Sequence, residues 1–171
     1  MSEQAGQGAQ APQDGTQAQP GADAQPSFQI EKLYVKDLSL EVPNAPQVFM
    51  QPEQPQLEVK VRNEAAQFGD ALYEAVVTVT VTARAGERTI FLAEAAQAGI
   101  FSVRGFPPQD LEAMLGIGCP TILFPYVREV ISDLITRAGF PPMVLAPVSF
   151  EQMFLERQQR AAAEPRIEVA T

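Results

Sequence analysis

The sequence predicts a single α+β domain in which a four-stranded antiparallel sheet is followed by two helices. Four stretches of alternating apolar and polar residues succeed one another without a helical segment between them, which favours antiparallel pairing. Near Pro107 the apolar spacing changes to the three-to-four-residue period of helices. The chain has 171 residues, 46% of them hydrophobic and 19% charged, which suffices for one such domain and its tails.

Both ends of the chain are predicted to lie outside the domain. Residues 1–26 are almost entirely Gln, Ala, Gly and Pro. Such a segment buries too little apolar surface to offset the ordering of its backbone, which costs roughly 1–2 kcal/mol per residue. We expect a disordered leader over 1–26, a folded domain over 27–162 and a flexible tail over 163–171. Because the leader lacks the basic start and apolar run of a secretory signal, we expect a cytoplasmic protein without membrane insertion.

The first half of the domain is predicted to form strands. Alternation over Phe28–Val42 predicts one or two short strands, and the prolines of residues 43–56 predict a long crossing loop. Alternation then resumes as a second strand. The clearest strand runs from Tyr73 to Ala83, with valines on one face and threonines on the other. A turn leads into a fourth strand, Arg88 to Gln97, which completes a hairpin.

Prolines and glycines delimit the predicted helices. A short helical turn after Pro107 is expected to stop at Gly116 and Gly118, and a longer helix is expected over 120–138. A last helix is predicted over 150–162. The longer helix carries an apolar stripe with the spacing of a helix that packs on a sheet, and its members are Ile122, Leu123, Tyr126, Val127, Val130, Ile131, Leu134 and Ile135.

Charge and missing residue types exclude several functions. The chain has 12 Lys+Arg against 21 Asp+Glu, a formal charge of −9, which repels the phosphate backbone of nucleic acids. It has no histidine, so Ser–His or Cys–His catalysis and His-ligated metal sites are excluded. Cys119 is the only cysteine and is expected to be a structural thiol. We therefore predict a protein that is not an enzyme and that uses no metal or cofactor.

Apolar side chains occur in unusual places. Phe49 and Met50 lie in the proline-rich loop, and several phenylalanines cluster at breaks between elements. They could fill one core. The alternative is that the surplus makes oligomer contacts, a groove for another chain, or both. The candidate groove residues are Phe49, Met50, Phe101, Phe140, Leu145, Phe150 and Phe154.

Several blocks of the sequence resemble, in order, the SecB family of bacterial protein-export chaperones. The blocks are Lys36–Glu41 with Pro43–Pro46, Phe91–Glu94, Gly99–Ser102, Cys119–Tyr126 with Arg128-Glu129, Phe140-Pro141 and Leu145–Val148. The resemblance implies a SecB-like four-stranded antiparallel sheet with two helices, assembled as a homotetramer that is a dimer of dimers. It implies an ATP-independent chaperone that holds non-native preproteins unfolded and delivers them to the SecA translocase ATPase. A SecB-like chaperone dedicated to a narrow client, such as an antitoxin, remains the alternative.

The resemblance also implies site residues. The positions that match the SecA-binding residues of the family are Asp37, Glu41, Leu92 and Glu94. By strand alternation these four share one face of the sheet, with Asp37 and Glu41 about 13 Å apart. The resemblance adds the fourth-strand positions Ala93, Ala95 and Gln97 as residues that affect subunit contact. The breadth of the helical stripe predicts further oligomer contacts at Tyr126, Val130 and Leu134.

Overall fold

A four-stranded antiparallel sheet carries helices on one of its faces, as predicted. The computed structural model describes residues 25–50 and 54–163. The strands are β1 (Ser27–Glu41), β2 (Gln56–Gly69), β3 (Leu72–Ala85) and β4 (Arg88–Arg104), in the order β1-β4-β3-β2. The helices are α1 (Gln47–Met50), α2 (Pro108–Ala113), α3 (Cys119–Arg137) and α4 (Phe150–Ala163), with a π-helical segment, Met114–Gly118, between α2 and α3.

The predicted flanking segments fall almost entirely outside the described residues. Of the leader predicted over 1–26, the structure describes only residues 25 and 26, which precede β1. Of the tail predicted over 163–171, it describes only Ala163, which ends α4. The disorder expected of these two segments therefore stays a prediction.

The two faces of the sheet differ in the way that strand alternation predicts. The inner face, which the helices cover, carries the buried residues of β3: Ala75, Val77, Val79, Val81 and Ala83. The inner stripe of α3 packs on them through Leu123, Val127, Ile131 and Ile135, none of which is more than 1% exposed. The outer face carries the alternating threonines of β3 between β2 and β4.

The strands are longer than predicted. β1 is one strand of 15 residues rather than one or two short ones, and it absorbs register shifts near Glu31 and Lys36 by bulging. β4 continues past the predicted end at Gln97 to Arg104 and places Phe101 inside the strand. The crossing segment predicted as a loop contains the single helical turn α1.

The prediction that a helix stops at Gly116 and Gly118 is wrong. Helical backbone continues from α2 through the π-helical segment into α3. The two glycines serve packing instead, because a Cβ at Gly116 would lie 2.5 Å from Cδ2 of Phe154 and a Cβ at Gly118 would lie 2.6 Å from Sδ of Met114. Local sequence shows a glycine but does not show the side chain that needs its space.

The helical run Pro108–Arg137 is long enough and apolar enough, by length and composition alone, to cross a membrane. This stretch was not expected to meet those criteria. The same criteria are met by core helices, and α3 buries its inner stripe against the sheet. Part of that apolar surface, the inner stripe of α3, is therefore used in core packing.

Candidate functional site

An apolar cleft opens where the crossing segment between β1 and β2 meets the end of α3. Its volume is about 430 Å³. Phe91 of β4 and Ile135 of α3 form its buried floor, and Leu57 of β2 lies at its rim. The remaining lining is apolar as well and comprises Val48, Phe49, Pro55, Ile90, Phe140, Pro141, Pro142 and Met143. Such a surface can bury apolar side chains of another chain.

Three aromatic rings organise the cleft. The ring centroid of Phe140 lies 4.8 Å from that of Phe91 and 5.3 Å from that of Phe49, with the rings tilted in both pairs. Phe91 is buried, Phe140 is half-buried and Phe49 is 47% exposed. The series leads from the core to the surface, so an apolar side chain that enters the cleft meets aromatic surface that is already held in place.

The local sequence explains why these rings meet. Gly139 follows α3 with φ of +91°, a conformation that suits glycine and that turns the chain toward Phe140. A Cβ at Gly139 would lie 3.4 Å from Cε1 of Phe49, which is ordinary van der Waals contact, so the glycine is needed here for its backbone conformation rather than for space. Asn44 donates a hydrogen bond from Nδ2 to the carbonyl of Thr89 over 2.7 Å, which ties the crossing segment to the start of β4.

Of the seven predicted groove residues, only Phe49 and Phe140 line this cleft. Met50 follows Phe49 but points into solvent, with 80% of it exposed. The other four belong to the core, because each is at most 7% exposed: Phe101, Leu145, Phe150 and Phe154. Phe28 stacks on Phe101, and the ring of Phe150 meets Phe124 edge-on. Within one chain these four therefore belong to the core, and their place in a client groove stays a prediction.

Most residues of the cleft cannot be recognised from sequence patterns. Phe91 and Ile135 were interpreted as strand and helix core, and they are buried, but their edges also form the cleft floor. The alternation of Leu57, Val59 and Val61 predicts a strand, yet nothing in that alternation shows that β2 is an edge strand. Its position at the edge leaves Leu57 49% exposed beside Pro55.

The predicted acidic patch lies on the outer face of the sheet. In the register of β1 with β4, Glu41 is opposite Leu92, Ser39 is opposite Glu94, and Asp37 is opposite Ala96. The register therefore brings Asp37, Glu41, Leu92 and Glu94 onto one surface, which we call the acidic patch. Asp37 and Glu41 are exposed, whereas Leu92 and Glu94 are half-buried.

The lysines near the acidic patch form ion pairs with carboxylates outside it. Nζ of Lys60 lies 3.0 Å from Oε1 of Glu58, and Nζ of Lys36 lies 2.6 Å from Oε2 of Glu74. Within residues 25–50 and 54–163, Asp37, Glu41 and Glu94 form no ion pair. The negative charge of the acidic patch is therefore not neutralised by an ion pair among these residues.

Beyond the acidic patch, Tyr34, Lys36 and Glu74 form a bridge from β1 to β3 across β4. Tyr34 donates a hydrogen bond to Oε1 of Glu74 and packs over Val76, Ala96 and Ala98. That hydrogen bond, followed by desolvation, raises the pKa of Tyr34 to about 12. The hydrogen bonds from Lys36 and then Tyr34 lower the pKa of Glu74. The bridge fixes a carboxylate that would otherwise add to the exposed acidic charge.

The predicted oligomer contacts divide between core and surface. Ala93, Ala95 and Gln97 are at most 4% exposed beneath the helices, so within one chain they contact helices rather than solvent. On α3 the outward side carries Tyr126, which is 48% exposed, with the half-buried Val130 and Leu134. Only the α3 residues present surface that a second subunit could cover directly.

The described residues hold no group of three or more His, Cys, Asp or Glu side chains with the geometry of a metal site. Cys119 is fully buried at the start of α3, and desolvation raises the pKa of its thiol to about 12. A buried protonated thiol is a poor nucleophile and a poor metal ligand. The described residues present apolar surface in the cleft and negative charge on the acidic patch.

The comparisons with known proteins identify the family. The model of the family described as preprotein translocase subunit SecB matches residues 21–161. The protein-export protein SecB of Aromatoleum aromaticum is 59% identical over 136 residues, which is 79% of this chain and 86% of the relative. That of Methylobacillus flagellatus is 53% identical over 140 residues, which is 82% of this chain and 89% of the relative.

A solved structure supports the same fold. A SecB-like chaperone of Mycobacterium tuberculosis, in complex with a peptide from an antitoxin, superposes with a TM-score of 0.55. It is 22% identical and covers 71% of this chain and 90% of its own. The likeness supports the fold, while the family match and the export relatives cover most of the domain. The chain belongs to the SecB family of protein-export proteins.

Proposed function

We propose that the protein is an ATP-independent chaperone that holds non-native preproteins unfolded and delivers them to the SecA translocase ATPase. The observation that carries this proposal is the open apolar cleft around Phe49 and Phe140, on a chain whose relatives are named protein-export proteins. The cleft takes apolar side chains without requiring one sequence, because its lining offers surface rather than directional polar groups. A cytoplasmic location and a non-enzymatic role accompany this function.

The size of the cleft favours long clients over short ones. Burial of one large apolar side chain contributes roughly 1.5–3 kcal/mol, while association costs an estimated 4–15 kcal/mol. One cleft therefore binds a short peptide weakly. A long unfolded chain that reaches several clefts of one assembly gains affinity through effective concentration rather than through new contacts.

Calorimetry with an unfolded preprotein and with short peptides cut from it tests client holding. We expect tight binding of the long chain and weak binding of each peptide. Equal affinity for both would contradict the proposal. Identification of the nascent chains that co-purify with the protein separates general export from the alternative, service to a narrow client such as an antitoxin: many different preproteins support export, and a single partner overturns it.

The acidic patch is the proposed docking surface for the basic, zinc-binding C-terminal segment of SecA. Complementary charge accelerates encounter and makes the interaction sensitive to salt. Charge reversal by Glu94→Lys should abolish SecA binding and leave client affinity near that of the wild type. Because the Debye length is about 8 Å at physiological ionic strength, added salt should weaken SecA binding far more than client binding. Normal SecA binding by Glu94→Lys would assign docking elsewhere.

The proposed assembly is a homotetramer formed as a dimer of dimers. The outward side of α3, with Tyr126, Val130 and Leu134, is the surface that a second subunit covers. Ala93, Ala95 and Gln97 lie beneath the helices and would influence assembly by setting the position of α3 on the sheet. Light scattering at micromolar concentration should give a tetrameric mass, and a strictly monomeric mass would contradict this assembly.

A further inference from the structure

Four side chains form a row across the outer face of the sheet, one from each strand. Ser39, Glu94, Thr80 and Lys60 are successive partners in the registers of β1, β4, β3 and β2. Oγ1 of Thr80 donates a hydrogen bond of 2.6 Å to Oε2 of Glu94. On its other side Thr80 separates Glu94 from Lys60, whose Nζ lies 3.0 Å from Oε1 of Glu58. Thr80 is thus the immediate neighbour that determines where the Glu94 carboxylate lies.

The other two threonines on this face of β3 have no such role. On β4, Thr78 is opposite Ala96 and Thr82 is opposite Leu92, so neither meets a carboxylate of the acidic patch, although Thr82 is opposite Glu58 on the β2 side. The three positions share the same backbone, residue type and face of β3, and they differ in the group that each one meets. They provide a matched internal comparison.

We propose that Thr80 is a positioning residue of the docking surface, which holds the Glu94 carboxylate in the orientation that a basic partner segment meets. The proposal rests on the proposed function, in which Glu94 contacts SecA. Thr80 itself needs no contact with the partner, because its effect passes through the hydrogen bond to Oε2 of Glu94.

Two physical effects explain why this hydrogen bond should strengthen binding of the partner segment. A free glutamate side chain samples several rotamers, and a partner that binds it must order them, whereas a held carboxylate has already lost that freedom. A released Glu94 also comes within reach of Lys60, since two strand spacings place their Cα atoms about 10 Å apart. An ion pair with Lys60 would turn the carboxylate away from the partner, so both effects of the Thr80 hydroxyl act on the orientation of Glu94 and not on the net charge of the acidic patch.

The test compares Thr80→Val with Thr80→Ser, Thr82→Val and Glu94→Gln, with the zinc-loaded C-terminal segment of SecA as the probe. Valine keeps the β-branched shape and removes the hydroxyl, and serine restores the hydroxyl. We expect Thr80→Val to weaken binding by about tenfold, the equivalent of 1.4 kcal/mol. Thr80→Ser should bind within about twofold of the wild type, as should Thr82→Val, because a changed surface threonine alone carries no such penalty.

The salt dependence of binding separates positioning from loss of charge. Thr80→Val keeps every charge of the acidic patch, so its affinity should fall in parallel with that of the wild type as salt rises, whereas Glu94→Gln should show a shallower dependence. In the double variant Thr80→Val with Glu94→Gln, the effect of the first change should disappear, because the pair acts as a unit.

The outcomes distinguish this inference from the docking proposal. If Glu94→Gln weakens binding and Thr80→Val does not, Thr80 is no positioning residue and the acidic patch stands. If Thr80→Val, Thr80→Ser and Thr82→Val weaken binding equally, the effect is one of general surface change and the inference is overturned. If Glu94→Gln binds as the wild type does, the docking assignment itself falls, and the inference falls with it.

Discussion

Gly116 and Phe154 are in such close contact that a Cβ on the glycine would lie 2.5 Å from Cδ2 of the aromatic ring. Arg157 also borders this contact, with its guanidinium carbon 5.4 Å from the centre of the Phe154 ring and Nη2 3.0 Å from the position of that Cβ. From β2, Asn63 donates a hydrogen bond to the carbonyl of Gly116 over 3.3 Å. One backbone position in the π-helical segment therefore joins the edge strand, the long helical run and α4.

Gly116→Ala should destabilise the protein, since Phe154 is buried and its ring has little room to move. Overpacking of this kind costs about 1–3 kcal/mol. Gly118→Ala is the matched control: its Cβ would meet Sδ of Met114, which lies in a flexible side chain that can yield. Thermal denaturation should therefore show a lower Tm for Gly116→Ala than for Gly118→Ala. The reverse order would mean that α4 adapts to the added methyl more easily than Met114 does.

Phe49→Ser should reduce client affinity with little change in stability, because Phe49 is 47% exposed and lines the cleft. Phe101→Ser should have the opposite profile. Phe101 is fully buried, so its truncation should cost about 3–5 kcal/mol of unfolding free energy. Denaturant titration and client calorimetry on the two variants check this contrast. A large loss of stability in Phe49→Ser would place its ring in the core.

Cys119 should resist alkylation in the folded protein at neutral to mildly alkaline pH. Its thiol is buried, and desolvation raises its pKa to about 12, so the reactive thiolate is scarce. Iodoacetamide should modify it at a rate limited by unfolding or local opening and should modify it quickly in denaturant. Mass spectrometry over time measures both rates, and fast labelling under native conditions would show that the start of α3 opens readily.

The bridge of Tyr34, Lys36 and Glu74 should lose its stabilising effect in acid. The pKa of Glu74 in the folded protein is lowered from 4.5, chiefly by the hydrogen bond from Lys36. A carboxyl group with a lowered folded pKa stabilises the fold above its unfolded pKa, and this contribution disappears as pH falls through the folded value. The stability difference between wild type and Glu74→Gln should therefore be present at pH 7 and shrink below about pH 4. Chemical denaturation across this range measures it, and a constant difference would exclude the charge of Glu74 as its source.

Strand alternation predicted the sheet because burial and pattern have the same period. Val77, Val79 and Val81 are each fully buried, and the neighbouring threonines lie on the outer face, as their order along β3 requires. The same logic correctly placed Leu92 and Glu94 opposite to Phe91 and Ala93. Alternation therefore predicts the face of a residue correctly where the residue's own strand sets its environment.

Sequence patterns do not predict the environment of residues that depend on distant parts of the chain. Phe101 was interpreted as lying beyond the end of a strand, but β1 extends far enough to pair with that part of β4 and bring Phe28 onto its ring. Leu57 became part of the cleft because β2 is an edge strand, and sheet order is a property of the whole fold. A helix stop is predicted at Gly116 because the ring that needs its space belongs to α4, whereas Gly118 faces Met114 of its own segment.

The order β1-β4-β3-β2 also constrains how the chain reaches its fold. β2, β3 and β4 pair with neighbours in sequence through short turns, so they can form a meander with little loop entropy to overcome. β1 is synthesised first but pairs only with β4, where Ser27 meets Arg104 and Glu41 meets Leu92. During synthesis β1 must therefore remain unpaired until β4 has been made. In this respect the nascent chain resembles the unfolded clients that the protein is proposed to hold.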